Sequence, residues 1–212
     1  MMRYGLYIVT EEGLSKGLDH TEIASRALEG GADVIQLRDK AMDGRRFMEH
    51  ALKIRNLTKK AGALFIVNDR VDIALAAKAD GVHLGQDDMP INEVRPICPK
   101  GFIIGITAHN VEEAVEAEAL SADYIGLSPI FQTGSKNDAG PACGVDMVRK
   151  VKARVHIPVV AIGGIGPSNA RDVLKAGADG LAVISAVVGQ DDIAGAARRL
   201  RSIISEFRIE KK

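Results

Sequence analysis

Apolar side chains recur at steps of three and four residues in several stretches of the chain. In residues 45–60, for example, Phe47, Ala51 and Ile54 follow this spacing, whereas Arg, Glu and Lys occupy most of the positions between them. Such spacing places the apolar groups on one face of an amphipathic helix. The same criterion predicts eight helices, at residues 21–28, 45–60, 70–78, 91–97, 111–120, 146–155, 168–176 and 192–207.

Short and almost continuous apolar runs separate the predicted helices. Continuous runs are typical of strands that are buried on both faces, as in a parallel sheet covered by helices. The runs predict eight strands, at residues 5–9, 34–37, 64–67, 81–84, 103–106, 124–127, 159–162 and 181–184. Eight strands that alternate with eight helices in 212 residues indicate a compact (β/α)₈ barrel.

A short phrase of small residues followed by Asp recurs between a helix and the next strand. It occurs four times, with its aspartates at Asp33, Asp80, Asp123 and Asp179. The small residue ends the helix and the Asp lies in the turn before the strand. Each interval between phrases is long enough for two strand-plus-helix units, so the four phrases agree with eight units.

We therefore predict a single-domain α/β protein, a (β/α)₈ TIM barrel that extends over residues 1–212. A doubly wound open sheet is the alternative fold, although it needs fewer strands and a crevice at a switch point. No linker or low-complexity segment interrupts the pattern in the sequence.

The charge balance narrows the range of partners. The 28 basic and 28 acidic side chains give a net charge of zero, whereas nucleic-acid binders and peripheral membrane proteins usually carry a basic surplus. We therefore expect small-molecule substrates rather than nucleic acid or a membrane as partners, and a homo-oligomer is left open. Glu11 and Glu12 interrupt the first apolar stretch too early for a signal peptide, and two cysteines are too few for a disulfide framework. These features predict a cytoplasmic protein.

Glycines and a serine follow the last two predicted strands. Active sites of such barrels lie at the carboxyl ends of the strands, where this chain has a glycine-rich turn at 163–166 and then Ser185. Exposed glycine amides can bind a phosphate, and barrel enzymes often hold one at this place. Alternatively, the glycines only permit a tight turn.

Carboxylates and cations follow other strands. Asp69 and Asp88 follow neighbouring strands, so their carboxylates can converge on one Mg²⁺. Alternatively, Asp69 caps a helix and Asp88 forms a turn. Arg38, Lys40 and Lys136 lie on separate loops of the same rim, where they could bind a diphosphate.

Three further polar residues have open roles. Asn68 can hydrogen-bond a heterocycle or belong to a turn, and a structural role is favoured for His83 and His109. The spacing supports neither a Ser/His/Asp triad nor a Cys/His pair. Two phosphate sites, one with Mg²⁺ and one built from backbone, together indicate group transfer with diphosphate as the leaving group.

Seven motifs, spread from the second to the eighth predicted strand, resemble those of the thiamine-phosphate synthase family. They are QLRDK (36–40), FIVNDRVDIAL (65–75), GVHLGQDD (81–88), GITAH (105–109), ADYIGLSPIFQTGSK (122–136), IPVVAIGGI (157–165) and ADGLAVISAV (178–187). The resemblance implies a barrel that joins a pyrimidine methyl diphosphate to a thiazole phosphate, giving thiamine phosphate and diphosphate. It also implies a dissociative, Mg²⁺-assisted route, in which diphosphate leaves before the thiazole nitrogen captures the pyrimidine methyl cation.

The resemblance further implies roles for individual residues. Asp69 and Asp88 would bind Mg²⁺, and Arg38, Lys40 and Lys136 would stabilise the charge on the departing diphosphate. The contacts to the pyrimidine diphosphate would be Gln36, Leu37, Arg38, Asp39, Lys40, Asn68, Thr107 and Lys136. The contacts to the thiazole phosphate would be Thr133, Gly134, Ser135, Gly164, Ile184 and Ser185.

The chain departs from the family pattern in two places. Thr107 stands where the family usually has Ser, and the loop 132–136 has lost a stiffening Pro and gained Gly134. A sister family, the thiazole tautomerase, shares the barrel and uses a His at the position of His109, but typically lacks carboxylates at the positions of Asp69 and Asp88. Those carboxylates favour the synthase, and a non-catalytic phosphate-binding barrel is a further alternative.

Overall fold

Eight parallel strands form a closed barrel in which each strand pairs with its neighbours in chain order, and β8 pairs with β1. The structure, a computed structural model, describes residues 4–135 and 140–210. The strands are β1 Leu6–Val9, β2 Val34–Leu37, β3 Leu64–Asn68, β4 Gly81–Leu84, β5 Ile103–Ala108, β6 Tyr124–Leu127, β7 Val159–Ile162 and β8 Gly180–Val183. The closed sheet confirms the predicted single-domain barrel and excludes the doubly wound open sheet. The extent of 1–212 stays a prediction, since the described residues are fewer.

Helices cover the outside of the barrel. Over the described residues they are α1 His20–Glu29, α2 Gly44–Ala61, α3 Val71–Ala76, α4 Ile91–Val94, α5 Val111–Ala119, α6 Val145–Lys152, α7 Ala170–Lys175, α8 Ser185–Val188 and α9 Ile193–Glu210. Two 3₁₀ turns lie at Glu12–Leu14 and Arg95–Ile97. None of the helices in this part of the chain combines the length and apolar character that a membrane crossing requires.

Several elements differ from the sequence prediction by a few residues, and two of the differences have identifiable reasons. The helix expected from residue 168 begins at Ala170, because the Asn169 side chain accepts the Gly166 N–H and donates to the Gly164 carbonyl. The short helix α8 was not predicted. Its residues 185–188 are mostly apolar and continue the apolar run of β8, so the sequence shows no change of pattern there.

Aromatic rings fill the inside of the barrel. Tyr7 and Tyr124 are almost fully buried there, and a separate apolar layer packs between the strands and the helices. Gly105 leaves room for one of these rings, since a Cβ atom at that position would lie 2.0 Å from Tyr124 Cζ. The tyrosine side chains therefore lie at the bottom of the opening formed by the carboxyl ends of the strands, which we call the barrel mouth.

The four aspartates of the repeated phrase form what we call the aspartate clamps. Each precedes an even-numbered strand, and its Oδ2 accepts a backbone N–H from the odd-numbered strand before it as well as a bond from a cationic side chain. The clamps join Asp33 to Leu6 and Arg201, Asp80 to Phe65 and Arg55, Asp123 to Ile104 and Arg95, and Asp179 to Val159 and Lys152. They hold the amino-terminal ends of the strands together.

Candidate active site

The predicted polar residues gather at the carboxyl ends of the strands, around adjoining cavities. The largest of these contains about 750 Å³ of empty space open to solvent. It is lined by Arg38, Lys40, Asn68, Asp69, His83, Gly85, Gln86, Asp87, Asp88, Thr107, His109 and Ser128. Residues from five strand ends, β2 to β6, therefore face one space, as the barrel prediction requires.

Asp69 and Asp88 converge in this cavity. The two carboxyl groups lie next to each other, and Asp88 Oδ2 accepts the Gly85 N–H at 2.6 Å. Burial, followed by the neighbouring Asp88 carboxyl, raises the pKa of Asp69 to about 6. In the described residues around α3 no side chain caps the helix, so the Asp69 side chain serves the cavity and not the helix.

The backbone helps to aim Asp69. Its φ of +59° lies in the left-handed region, which Asp and Asn tolerate better than most residues. The Asp69 N–H donates to the His83 carbonyl at 2.9 Å, which fixes the turn against β4. This turn directs the carboxyl group away from α3 and toward Asp88.

Arg38 and Lys40 provide positive charge in the same cavity, at the end of the strand next to that of Asp69. Both counteract the raised pKa of Asp69, so each is close enough to stabilise its carboxylate. Arg38 is 7% exposed, and its Nη1 lies 3.2 Å from Glu11 Oε2. Lys136, the third predicted cation, lies outside the described residues.

Two further residues of the 36–40 segment, Leu37 and Asp39, direct their side chains elsewhere. Leu37 is fully buried in the apolar layer under the helices. The Asp39 carboxylate contacts His20 Nε2 at 3.2 Å and accepts the N–H groups of Ala41 and Met42. Asp39 thereby shapes the loop that carries Arg38 and Lys40. Direct contacts of Leu37 and Asp39 with a substrate stay predictions.

A chain of hydrogen bonds lies below the cavity, at the barrel mouth. It connects Gln36, Tyr7, Tyr124, His83 and Thr107. The same residues line a deeper space of about 310 Å³. Tyr7 and Tyr124 were missed as candidate functional residues, because an inward tyrosine on an apolar strand has the same sequence pattern as a core residue.

The two histidines of the cavity have different surroundings. His83 is buried, and both of its ring nitrogens are hydrogen-bonded within the chain just described. His109 is exposed at the rim, where its Nδ1 lies 2.9 Å from Glu113 Oε2. Asn68 is buried at the end of β3 and lines the same cavity as the two histidines and the carboxyl groups.

A second cavity, of about 360 Å³, adjoins the first through Ser128. Its lining consists of Ser128, Thr133, Ser135, Ile162, Gly163, Gly164, Ile165, Ala182, Val183, Ile184 and Ser185. Ser135 Oγ donates to Ser185 Oγ at 3.0 Å, which joins the loop after β6 to the start of α8. Five of the six predicted thiazole phosphate contacts line this cavity, and Gly134 is exposed on the same loop.

Two glycines shape this second cavity. Gly163 and Gly164 have φ values of +106° and +62°. A Cβ atom on Gly164 would lie 2.7 Å from Phe131 Cβ and 2.8 Å from the Gln132 carbonyl oxygen. Glycine is therefore required for close approach of the two loops and not only for a tight turn.

Comparison with known proteins agrees with this geometry. The family model described as thiamine monophosphate synthase matches residues 6–187. Thiamine-phosphate synthase of Methanocella arvoryzae is 60% identical over 98% of both chains, and that of Methanoculleus marisnigri is 55% identical over 99% of both. The solved thiamine phosphate pyrophosphorylase of Pyrococcus furiosus superposes with a TM-score of 0.90 at 45% identity, covering 97% of this chain and 98% of that one. The chain therefore belongs to the thiamine-phosphate synthase family of transferases, as its motifs predicted.

Proposed function

We propose that the chain joins a pyrimidine methyl diphosphate to a thiazole phosphate by a dissociative route, with Mg²⁺ held at Asp69 and Asp88. One observation carries this proposal. A pair of carboxyl groups shares one cavity with Arg38 and Lys40, and a hydroxyl- and glycine-lined cavity adjoins it. Two anionic substrates can thus meet with their phosphates at opposite ends of a joint space.

The donor set fits a magnesium ion. Two carboxyl groups in contact repel each other when both are ionised, which is one cause of the raised pKa of Asp69. A divalent cation removes this repulsion, and Mg²⁺ prefers one or two carboxylates together with water and phosphate oxygens. When bound, the ion would neutralise charge on the diphosphate.

The cationic residues are proposed to act on the leaving group. Departure of diphosphate concentrates negative charge on its oxygens, and preorganised cations lower the barrier for such a step. Arg38 is held by Glu11, so its guanidinium is already in place before substrate binds. Lys40 lines the same cavity as Arg38, and the family resemblance implies that Lys136 also stabilises the departing diphosphate. No general base is needed for attack by the thiazole nitrogen, because its lone pair is free.

Residues of the barrel mouth are proposed to orient the pyrimidine. Gln36, Asn68 and Thr107 carry polar groups beside the cavity, on β2, β3 and β5. Thr133, Ser135 and Ser185 provide hydroxyl groups for the thiazole phosphate, with Gly164 and Ile184 between them. The reacting carbon and nitrogen would then meet near Ser128, which lines both cavities.

The test uses the purified protein with both heterocyclic substrates. We expect thiamine phosphate and diphosphate to form in equal amounts with Mg²⁺, and neither product to form after chelation with EDTA. Ca²⁺ at the same concentration controls for ionic strength. Metal-independent isomerisation of a thiazole carboxylate phosphate, with no thiamine phosphate formed, would identify the tautomerase instead.

Three wider expectations also remain proposals. The substrates are small molecules, and neither nucleic acid nor a membrane is expected to bind. A homo-oligomer and a cytoplasmic location are both compatible with the balanced charge of the chain. Size-exclusion chromatography with light scattering would determine the oligomeric state.

A further inference from the structure

Four consecutive hydrogen bonds cross the barrel mouth and connect two residues proposed to bind the pyrimidine. Gln36 Nε2 donates to Tyr7 Oη at 2.7 Å, and Tyr7 Oη lies 2.9 Å from Tyr124 Oη. Tyr124 Oη lies 2.9 Å from His83 Nδ1, and His83 Nε2 lies 2.9 Å from Thr107 Oγ1. The chain, which we call the tyrosine–histidine relay, connects β2, β1, β6, β4 and β5.

The amide donor at one end favours one direction for the relay. Gln36 Nε2 can only donate, so Tyr7 Oη accepts from it, and Tyr124 Oη is the acceptor to which the buried Tyr7 hydroxyl can give its own hydrogen. Tyr124 then gives its own hydrogen to His83 Nδ1. A ring nitrogen that accepts carries no hydrogen, so neutral His83 has its hydrogen on Nε2 and donates it to Thr107 Oγ1. In this direction Thr107 Oγ1 accepts from His83, so its own hydroxyl hydrogen is available to an acceptor in the cavity that Thr107 lines.

The surroundings hold the relay in place. Burial raises the pKa of both Tyr7 and Tyr124, so both hydroxyl groups keep their hydrogens. The His83 ring stacks on Tyr124 with centroids 5.5 Å apart. Gly126 leaves room for the imidazole, since a Cβ atom there would lie 2.7 Å from His83 Cε1. Gly126 is therefore required for this position of the imidazole, and the stacking and hydrogen bonds hold the ring there.

From this geometry we propose that His83 and Tyr124 are positioning residues, which hold the Thr107 hydroxyl as a hydrogen-bond donor toward an acceptor atom of the pyrimidine diphosphate. The inference rests on the proposed function, since it assigns an orientation to a group of the same site. Thr107 lines both the large cavity and the deeper space, so its hydroxyl stands where the two meet. The acceptor is a ring nitrogen without hydrogen or a phosphate oxygen.

The first measurement reads the tautomer of His83 directly. Nitrogen-15 spectra of the unliganded protein distinguish a ring nitrogen that bears hydrogen from one that does not, and the signal is assigned with the His83→Gln variant. We expect hydrogen on Nε2 and none on Nδ1. Hydrogen on Nδ1 would reverse the relay and overturn the proposal, whether or not the protein makes thiamine phosphate.

The second measurement separates positioning from support of the fold. Tyr124→Phe removes the hydroxyl that fixes His83, and Tyr4→Phe makes the same change in a ring that stacks on Tyr124 but lies outside the relay. Loss of one buried hydrogen bond predicts a roughly tenfold higher KM for the pyrimidine diphosphate in Tyr124→Phe, with the KM for the thiazole phosphate unchanged. Tyr4→Phe should resemble the parent protein.

A pair of His83 variants covers the case in which Tyr124→Phe does not fold. Gln can accept from Tyr124 and donate to Thr107, whereas Met can do neither. We expect His83→Gln to retain the KM of the parent protein and His83→Met to raise it. Equal KM values in the two variants, or in Tyr124→Phe and Tyr4→Phe, would refute the positioning role. A parent protein that forms no thiamine phosphate would instead refute the proposed function and leave the tautomer result standing.

Discussion

The carboxyl group of Asp69 lies next to that of Asp88, at the ends of two neighbouring strands. Burial, and then repulsion between the two groups when both are ionised, raises the pKa of Asp69 to about 6. An acid whose pKa is higher in the folded state adds stability at low pH, and that contribution is lost as pH rises through the folded pKa. The metal-free barrel is therefore less stable above pH 6 than it would be without this pair.

Asp69→Asn should stabilise the metal-free protein while it abolishes turnover. Asn keeps the left-handed backbone of Asp69 and removes its charge. Allowing for solvent screening of a half-buried group, we expect a gain on the order of 1 kcal/mol in the free energy of unfolding at about pH 8. Urea denaturation in EDTA measures it. Asp72→Asn, which removes an exposed partner of Arg70, is the control and should not stabilise the protein. A free energy of unfolding lower than that of the parent protein would contradict repulsion between the Asp69 and Asp88 carboxylates.

Binding of Mg²⁺ should release a proton only at low pH. Asp69, with its pKa of about 6, is protonated in a large part of the molecules at about pH 5.5 and must lose its proton when the ion binds. At about pH 8 it is already ionised, so no proton is released. Calorimetry in two buffers of different ionisation enthalpy measures the proton count. The same count at both pH values would show that Asp69 is not a ligand.

Gly164→Ala should weaken binding of the thiazole phosphate. The added Cβ would lie 2.7 Å from Phe131 Cβ, so the loops that line the second cavity must separate. Gly62→Ala is a matched control, because Gly62 has a similar φ of +69° and nothing within 4 Å of the new atom. Both variants should lose about 1 kcal/mol of stability from the backbone conformation. Only Gly164→Ala should raise the KM for the thiazole phosphate, and a rise of equal size in the control would argue against the contact.

Asp80→Ala should destabilise the barrel without changing its kinetics. The substitution leaves the Phe65 N–H without its acceptor and Arg55 without its partner. Loss of a part-buried, charge-assisted bond of this kind costs about 2 kcal/mol. Asp191→Ala removes an exposed ion pair with Lys16 and should leave the melting temperature almost unchanged. Thermal unfolding gives the difference, and kcat/KM well below the melting temperature should match the parent protein. A lower kcat/KM in Asp80→Ala would show that the clamp also supports the site.

The position of the site was predictable because parallel strands place their carboxyl ends at one edge. Asp69 and Asp88 could be paired from strand order alone, and Gly164 with Ser185 likewise. The direction of a side chain was not predictable in the same way. Asp39 follows β2 just as Arg38 does, yet it bonds to His20 of α1, and helix positions are not set by strand order.

The relay was not predictable for a related reason. Tyr7 and Tyr124 are far apart in the chain, and each lies in an apolar strand where a core role is expected. Only closure of the barrel brings their hydroxyl groups within 2.9 Å. A hydrogen bond between two inward side chains leaves no periodic signal along the sequence.

Because of the aspartate clamps, the stability of the barrel and the substrate specificity of the site can change independently. Each clamp joins one pair of adjacent strands to a cationic side chain outside the sheet, at the amino-terminal end of the barrel, whereas Asp69, Thr107 and Ser185 lie at the opposite strand ends. Substitutions that adapt the protein to warmer or cooler habitats can therefore accumulate at the clamps without altering which heterocycles it accepts. Substitutions in the loops that change substrate specificity can likewise arise without unfolding the barrel.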